Sequence, residues 1–168
     1  NDVEFADFYD YHFYAETTQF TDMVTYFYPD WADRQPLLFG EYCDSDTFRS
    51  VEQLREELDA DLWWAEDDPV VNPQGVRWTN EIIHNEERLA DLSLDVDFEE
   101  IRRRSYAQST EFRKDIVEQT RAQPKTSGYV VTNIQDQPLS TAGMLDDAGE
   151  LKFDPETFRL FNGATVLA

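Results

Sequence analysis

Short strand-like runs and longer helical patterns alternate along the chain. The aromatic-rich segment 5–14 predicts a strand with its outgoing loop. The continuous apolar run 37–39 lies between Pro36 and Gly40, and it predicts a strand buried on both faces of a parallel sheet. Residues 129–132 are β-branched or aromatic and predict a third buried strand.

Two helical patterns occupy the first half of the chain. Residues 20–28 form an amphipathic stretch, and Pro29 is expected to end it. Ser50 followed by Gln53 fits a capping box, which predicts a helix reaching about Leu62.

Three more helical patterns follow in the second half. Residues 78–92 predict one helix, and Asp97 is expected to cap a long one that reaches about Arg121. Asp154 and Pro155 predict the start of a short final helix, because proline suits the first helical position. This order of strands and helices predicts an α/β fold with parallel strands and right-handed crossovers.

The number of predicted strands limits the possible domain organisation. Three strands are too few to close a barrel, so residues 1–168 are expected to form a single domain or a barrel fragment. The connection between the second and third strands is long for one crossover. Residues 50–127 are therefore expected to form a helical crossover with an insertion.

The charge of the chain restricts its partners. It carries 36 acidic and 14 basic residues, for a net charge of −22 at pH 7. Such a charge repels phosphate backbones, which argues against nucleic-acid binding. Because the acids are scattered over the whole sequence, we expect an acidic surface adapted to a salt-rich environment, with a merely acidic protein as the alternative.

The N-terminus, the apolar runs and the single cysteine give further information on localisation and chemistry. The chain begins with acidic residues and without Met, so we expect a chain that is processed, trimmed or cut from something longer and that has no secretory signal. For its localisation, the cytoplasm of a salt-rich cell is favoured over secretion. No apolar run is long enough for a membrane helix, and no membrane partner is expected. Cys43 is the only cysteine, and a small core residue is favoured over a nucleophile.

Candidate chemistry lies at two predicted strand ends. Glu41 directly follows a buried strand and a glycine, and active sites of parallel α/β folds lie at the carboxyl ends of strands. An exposed glutamate in a cap or hydrogen bond is the alternative. The first strand ends in polar aromatic residues and a histidine, Tyr11, His12 and Tyr14. A core histidine with a satisfied hydrogen bond is the alternative for His12.

Several segments in order resemble the family-2 glycoside hydrolases, the group of β-galactosidases, β-glucuronidases and β-mannosidases. Segments 10–14, 36–42 and 127–132 are similar to strands six, seven and eight of that family's barrel. The C-terminal half adds similar motifs at Ser105, Gln108, Arg113, Ile116, Glu118 and Arg121, then at Asp136, Pro138, Asp146, Gly149 and Lys152. The resemblance covers nearly the whole chain.

This resemblance implies the C-terminal portion of a (β/α)8 TIM barrel from a retaining glycosidase that acts on β-linked glycosides. It implies that Glu41 is the nucleophile and that the acid/base glutamate lies upstream of this chain. The 168 residues alone are therefore expected to be inactive. Their expected partners are a carbohydrate substrate and the remainder of the barrel or another copy of the chain.

Other residues are candidates for holding the sugar. His12, Tyr11 and Tyr14 lie beside the nucleophile by resemblance, Asn133 and Asp136 follow the third strand, and Trp63 and Trp64 offer aromatic faces. A loop-turn role for Asp136 and core positions for the tryptophans are the alternatives. No cofactor and no specific metal are expected, since no His/Cys cluster has ligand spacing.

A non-catalytic protein is the rival hypothesis: a carbohydrate-binding or structural and assembly module with a barrel-derived sequence. Convergence of Glu41, His12 and Tyr14 on one cleft, with an acid from another chain or segment across it, would favour the enzyme. A Glu41 that faces solvent or pairs with an arginine elsewhere would favour the rival.

Overall fold

The computed structural model describes residues 5–31, 35–75, 88–92, 94 and 96–164. It divides the chain into two compact units. The first, called here the sheet unit, comprises Asn1–Ser45, Thr110–Thr132 and Asp154–Ala168. The second, called here the loop unit, comprises Asp46–Ser109 and Asn133–Phe153.

A three-stranded parallel sheet forms the centre of the sheet unit. Its strands are β1 (Tyr9–Phe13), β2 (Leu37–Tyr42) and β3 (Thr126–Val131), in the order β1-β2-β3. Both strand pairs are parallel, so β2 is the central strand. The α/β class and the parallel sheet predicted from the sequence are thereby confirmed.

Four helices have defined bounds: α1 (Thr17–Trp31), α2 (Val51–Leu58), α3 (Phe98–Ala122) and α4 (Pro155–Asn162). A short 3₁₀ turn covers Trp63–Ala65. Of the helix predicted over 78–92, residues 88–91 are helical, and residues 76–87 lie outside the described part of the chain.

The caps predicted at Ser50 and Asp97 are confirmed, and so is the helix start predicted at Asp154 and Pro155. Ser50 accepts a hydrogen bond from the Gln53 amide, and Asp154 accepts one from the Thr157 amide. Asp97 accepts hydrogen bonds from the amides at positions 99 and 100, at the start of α3. Each cap satisfies backbone donors that the first turn of a helix leaves unpaired.

Two predicted helix ends were wrong. α1 continues to Trp31, past Pro29. A proline removes one amide donor, whereas the other amides of the turn can still continue the helix. α2 ends at Leu58 rather than near Leu62, because Asp59 adopts a left-handed backbone conformation with φ of 46°.

Aromatic side chains fill the core of the sheet unit. Phe13 of β1 packs edge to face on Phe20 of α1, with ring centroids 5.4 Å apart, and Phe39 and Tyr42 of β2 stack on each other at 5.8 Å. Ile116 of α3 is also fully buried here. These contacts hold α1 and α3 against the sheet by apolar burial, the main favourable contribution to folding.

The third strand differs from its prediction. β3 is not buried on both faces, and the side chain of Val130 is 52% exposed. Within the described residues β3 pairs only with β2, so it is an edge strand. An edge position leaves alternate side chains in contact with water even where the sequence is β-branched.

The loop unit has a smaller core and a tightly packed turn. Val51 and Leu54 of α2 pack with Leu62 and Trp64. In the segment that follows β3, a Cβ atom at Gly143 would lie 2.4 Å from the backbone nitrogen at position 136 and 2.5 Å from the carbonyl oxygen at position 145. Only glycine fits where two backbone segments approach this closely.

Among the described residues, none of the helices is both long enough and apolar enough to cross a membrane.

Candidate active site

The central strand contains one extra residue relative to β1. Along the pairing of β1 with β2, Asp10 lies opposite Leu38 but His12 lies opposite Glu41. Two steps along β1 therefore match three steps along β2. Against β3 the register shifts twice: β3 has the extra residue between Leu37 and Leu38, and β2 has it between Phe39 and Tyr42. Such a β-bulge changes which face of the sheet the following side chains occupy.

The bulge removes Glu41 from the buried face of β2. Leu37 and Phe39 alternate into the core as a regular strand requires, and the next fully buried side chain is Tyr42 rather than Glu41. The carboxylate of Glu41 is instead partly exposed at the carboxyl end of the strand.

Two side chains of β1 and its outgoing loop contact the Glu41 carboxylate. The Tyr14 hydroxyl donates a hydrogen bond to Oε1 of Glu41. Nδ1 of His12 lies 3.3 Å from Oε2. Both carboxylate oxygens therefore have a neighbouring polar group, which fixes the orientation of the carboxylate.

The phenol of Tyr14 is held in its protonated form. Burial raises the pKa of Tyr14 well above its usual value, and the hydrogen bond to Glu41 and the charge of Asp44 raise it further. A protonated phenol remains a donor to Glu41 throughout the neutral and alkaline range. The hydroxyl therefore orients the Glu41 carboxylate by donating to its Oε1 atom.

A cavity of about 450 Å³ opens where β1 and β2 end. Tyr14 forms part of its wall, whereas Glu41 and His12 do not line it. Side chains of α1 and α3 line the rest together with the segments that follow the two strands: Phe13, Ala15, Glu16, Gln19, Phe20, Met23, Cys43, Asp44, Phe112 and Ile116. Its volume and its mixture of aromatic and polar groups are typical of small-molecule sites.

The cysteine after β2 is a core residue. Cys43 is buried, its thiol donates weakly to the Arg113 carbonyl at 3.9 Å, and its backbone has φ of 68°. Burial raises the pKa of the Cys43 thiol to about 12, so the nucleophilic thiolate is scarce at neutral pH.

Tyr11 is not brought to Glu41. Alternation along β1 places it on the face opposite His12, and its ring lies 6.1 Å from that of the core residue Phe13.

The predicted sugar-binding residues of the loop unit have other roles. Trp64 is 5% exposed, and the Arg49 guanidinium lies 5.1 Å from its ring centroid, so this ring cannot stack on a sugar. Trp63 is about half exposed on the adjacent 3₁₀ turn. Asn133 donates to Ser140 at 3.4 Å.

Asp136 is committed to a buried ion pair. One of its oxygens lies 2.6 Å from Nζ of Lys152 and also accepts a hydrogen bond from the Gly143 amide at 2.8 Å. Burial raises the pKa of Asp136, and the charge of Lys152 opposes that rise. These contacts give Asp136 the loop role weighed as its alternative, and binding of a sugar hydroxyl stays a prediction.

The sequence interpretation missed Asp10 as part of the site. Oδ1 of Asp10 accepts a hydrogen bond from the Gly40 amide at 2.9 Å, and Oδ2 lies 4.0 Å from Nε2 of His12. A signal was present, because Asp10, His12 and Tyr14 are spaced two apart. Residues with that spacing project from one face of a strand.

No group of His, Cys, Asp and Glu side chains in the described part of the chain has the geometry to hold a metal ion. No protein-family model, curated protein or solved structure matches the chain.

Proposed function

We propose that this chain carries the nucleophile of a retaining glycoside hydrolase that acts on β-linked glycosides, and that Glu41 is that nucleophile. The observation that carries the proposal is the position of the Glu41 carboxylate, at the carboxyl end of a central parallel strand in contact with both Tyr14 and His12.

The chemistry of glycoside cleavage fits this arrangement. A nucleophilic carboxylate must be ionised and must be oriented toward the anomeric carbon. Tyr14 donates to one oxygen of Glu41 and supports the required orientation. His12 reaches the other oxygen and is more than half exposed, so it also offers a polar group to a sugar hydroxyl.

The architecture is compatible with the proposal. In our proposal β1, β2 and β3 correspond to strands six, seven and eight of a (β/α)8 barrel, whose active sites form at the carboxyl ends of its strands. The sheet order β1-β2-β3 and the parallel pairing support that assignment.

A retaining enzyme needs a second carboxylate, about 5–5.5 Å from the nucleophile, as its acid/base. As the family resemblance implies, we propose that this carboxylate belongs to an upstream segment of the intact enzyme. The isolated 168 residues would then form no complete catalytic pair.

The test separates the nucleophile from the missing acid. The probes are 2,4-dinitrophenyl 2-deoxy-2-fluoro-β-glycosides of galactose, mannose and glucuronic acid, applied to the protein and followed by peptide mapping. Dinitrophenolate leaves without protonation, so labelling requires only the nucleophile. The fluorine destabilises the oxocarbenium-like transition state and makes the covalent intermediate long-lived. We expect one label, an ester on Glu41.

Two variants control the experiment. Glu41→Gln should remove the label, and Glu111→Gln, the same change at an exposed position of α3, should keep it. Label on another residue, or no label from any of the three probes on folded protein, contradicts the proposal. Binding of the sugars without labelling would instead support the non-catalytic carbohydrate-binding module.

A further inference from the structure

The Gly40 amide within the bulge of β2 is held by a side chain. A bulge disrupts the regular ladder and leaves a residue without its usual strand partner. Here Oδ1 of Asp10 accepts the Gly40 N–H at 2.9 Å. Asp10 therefore supplies, from the neighbouring strand, an acceptor for the backbone of the bulge.

The Asp10 carboxylate also occupies the space over Gly40. A Cβ atom at position 40 would lie 2.1 Å from Oδ1 and 2.7 Å from Cγ of Asp10. The absence of a side chain at Gly40 is what allows the carboxylate to reach the backbone. The two residues thus form a matched pair immediately before Glu41.

The same carboxylate lies beside the other contact of Glu41. Oδ2 of Asp10 is 4.0 Å from Nε2 of His12, and Nδ1 of His12 is 3.3 Å from Oε2 of Glu41. The imidazole therefore lies between two carboxylates. Asp10 is linked to Glu41 by two routes, through the Gly40 backbone and through the His12 ring.

We infer that Asp10 is a positioning residue for Glu41. It fixes the Gly40 amide and thereby the bulge that directs the Glu41 carboxylate toward Tyr14 and His12. This inference rests on the proposed role of Glu41 as nucleophile. It adds a requirement that the nucleophile alone does not impose, namely a carbonyl-type acceptor at position 10.

The experiment compares Asp10→Ala, which removes the acceptor, with Asp10→Asn, which keeps an acceptor oxygen and removes the charge. Asp7→Ala is the matched control, since Asp7 is an exposed aspartate just before β1. The first readout is hydrogen exchange of the Gly40 amide. The chain has only 6 glycines, so selective ¹⁵N-glycine labelling gives a simple spectrum.

The second readout is the labelling rate of Glu41 by the dinitrophenyl fluoroglycoside that labels the unaltered protein fastest. Asp10→Ala should speed Gly40 exchange and lower the maximal labelling rate about a hundredfold, because small displacements of a reacting group are costly. The probe concentration for half-maximal rate should change little. Asp10→Asn should keep Gly40 protected and label within a few-fold of the unaltered protein.

Several outcomes overturn the inference. Unchanged labelling in Asp10→Ala despite faster Gly40 exchange would show that the bulge does not position Glu41. A large labelling loss in Asp10→Asn with Gly40 still protected would assign the effect to charge. If Asp10→Ala fails to fold, Asp10→Asn still decides between these.

Failure of the proposed function has a different signature. The unaltered protein then receives no label on Glu41. In that case the inference that Asp10 positions a nucleophile is also wrong. The exchange of the Gly40 amide in the three variants still reports whether Asp10 holds the bulge.

Discussion

At the scale of single residues, Cys43 shows how the end of the central strand constrains side-chain chemistry. The residue directly follows β2, is buried, and takes a left-handed backbone conformation that costs a non-glycine residue about 1–2 kcal/mol. Its thiol has a pKa of about 12 because burial disfavours the thiolate. Burial in the core of the sheet unit therefore makes Cys43 a poor nucleophile.

This shift predicts a pH dependence of stability. The folded chain holds the Cys43 proton up to about pH 12, whereas the unfolded chain releases it near the ordinary thiol pKa of 9.0. The stabilisation is therefore complete below pH 9 and is lost as the pH rises through 12. Between about pH 8 and pH 10 the protein should lose about 1 kcal/mol more unfolding free energy than Cys43→Ser, as measured by urea denaturation.

The serine variant is the appropriate comparison because its hydroxyl does not ionise in this range. Contributions from tyrosines and other groups cancel between the two proteins. Parallel pH profiles for the two would show that Cys43 is not shielded as described.

The candidate site was only partly predictable from its residues. The prediction that Glu41, His12 and Tyr14 lie together followed from the family resemblance, and the structure brings them together. The environment of Trp64 depends on its contact with Arg49, and that of Asp136 depends on its ion pair with Lys152. Both partners are distant in sequence. No local pattern contains those contacts.

At the scale of secondary-structure elements, local chemistry explains the helix starts better than the helix ends. Ser50 and Asp154 act as caps within three residues of their partners, so the sequence alone was sufficient. The left-handed turn at Asp59 and the bulge at Gly40 are conformations that tertiary packing imposes on ordinary strand and helix sequences. They could not be predicted for that reason.

The segment that follows β3 depends on a buried ion pair. The side chains of Lys152 and Asp136 are 0% and 4% exposed, and Lys152 also donates to Thr47 and to the Thr141 carbonyl. Lys152→Met leaves Asp136 buried without its partner, which should lower the free energy of unfolding by about 3–5 kcal/mol. Chemical denaturation measures the change.

The control is an exposed pair on α3. Lys114→Met removes a partner of Glu118, and such a pair contributes only about 0.3–0.5 kcal/mol. Adding Asp136→Asn to Lys152→Met should recover part of the loss, since the uncompensated charge disappears. Equal unfolding free energies for Lys152→Met and Lys114→Met would contradict the assigned role.

At the scale of the whole molecule, the net charge of −22 should make stability depend on salt. Repulsion among acidic groups is screened over about 10 Å at 0.1 M salt and about 3 Å at 1 M. We expect the melting temperature to rise substantially from dilute buffer to molar KCl. Calorimetry or circular dichroism measures this rise.

Sucrose provides the comparison for the salt experiment. It strengthens apolar burial by exclusion from the surface but does not screen charge. A melting temperature that is unchanged by KCl, or raised equally by sucrose at the same osmolality, would show that charge repulsion does not limit stability.

The α/β class was also predictable at this scale, because each strand or helix pattern can be recognised from local sequence alone and their order along the chain then indicates the class. The division of the chain into two units was not. Each unit is assembled from segments that are far apart in sequence. The unit boundaries have no residue pattern in common that would reveal them: Ser45, Ser109, Thr132 and Phe153.

The crowded backbone around Gly143 has a consequence for tracing the ancestry of this protein. The atoms that exclude a side chain there belong to the main chain, so no exchange of neighbouring residues creates room for one. A descendant that replaced this glycine would have to rebuild the whole turn. A distant homologue that keeps this turn is therefore expected to keep glycine at this position, even where most of its other residues differ.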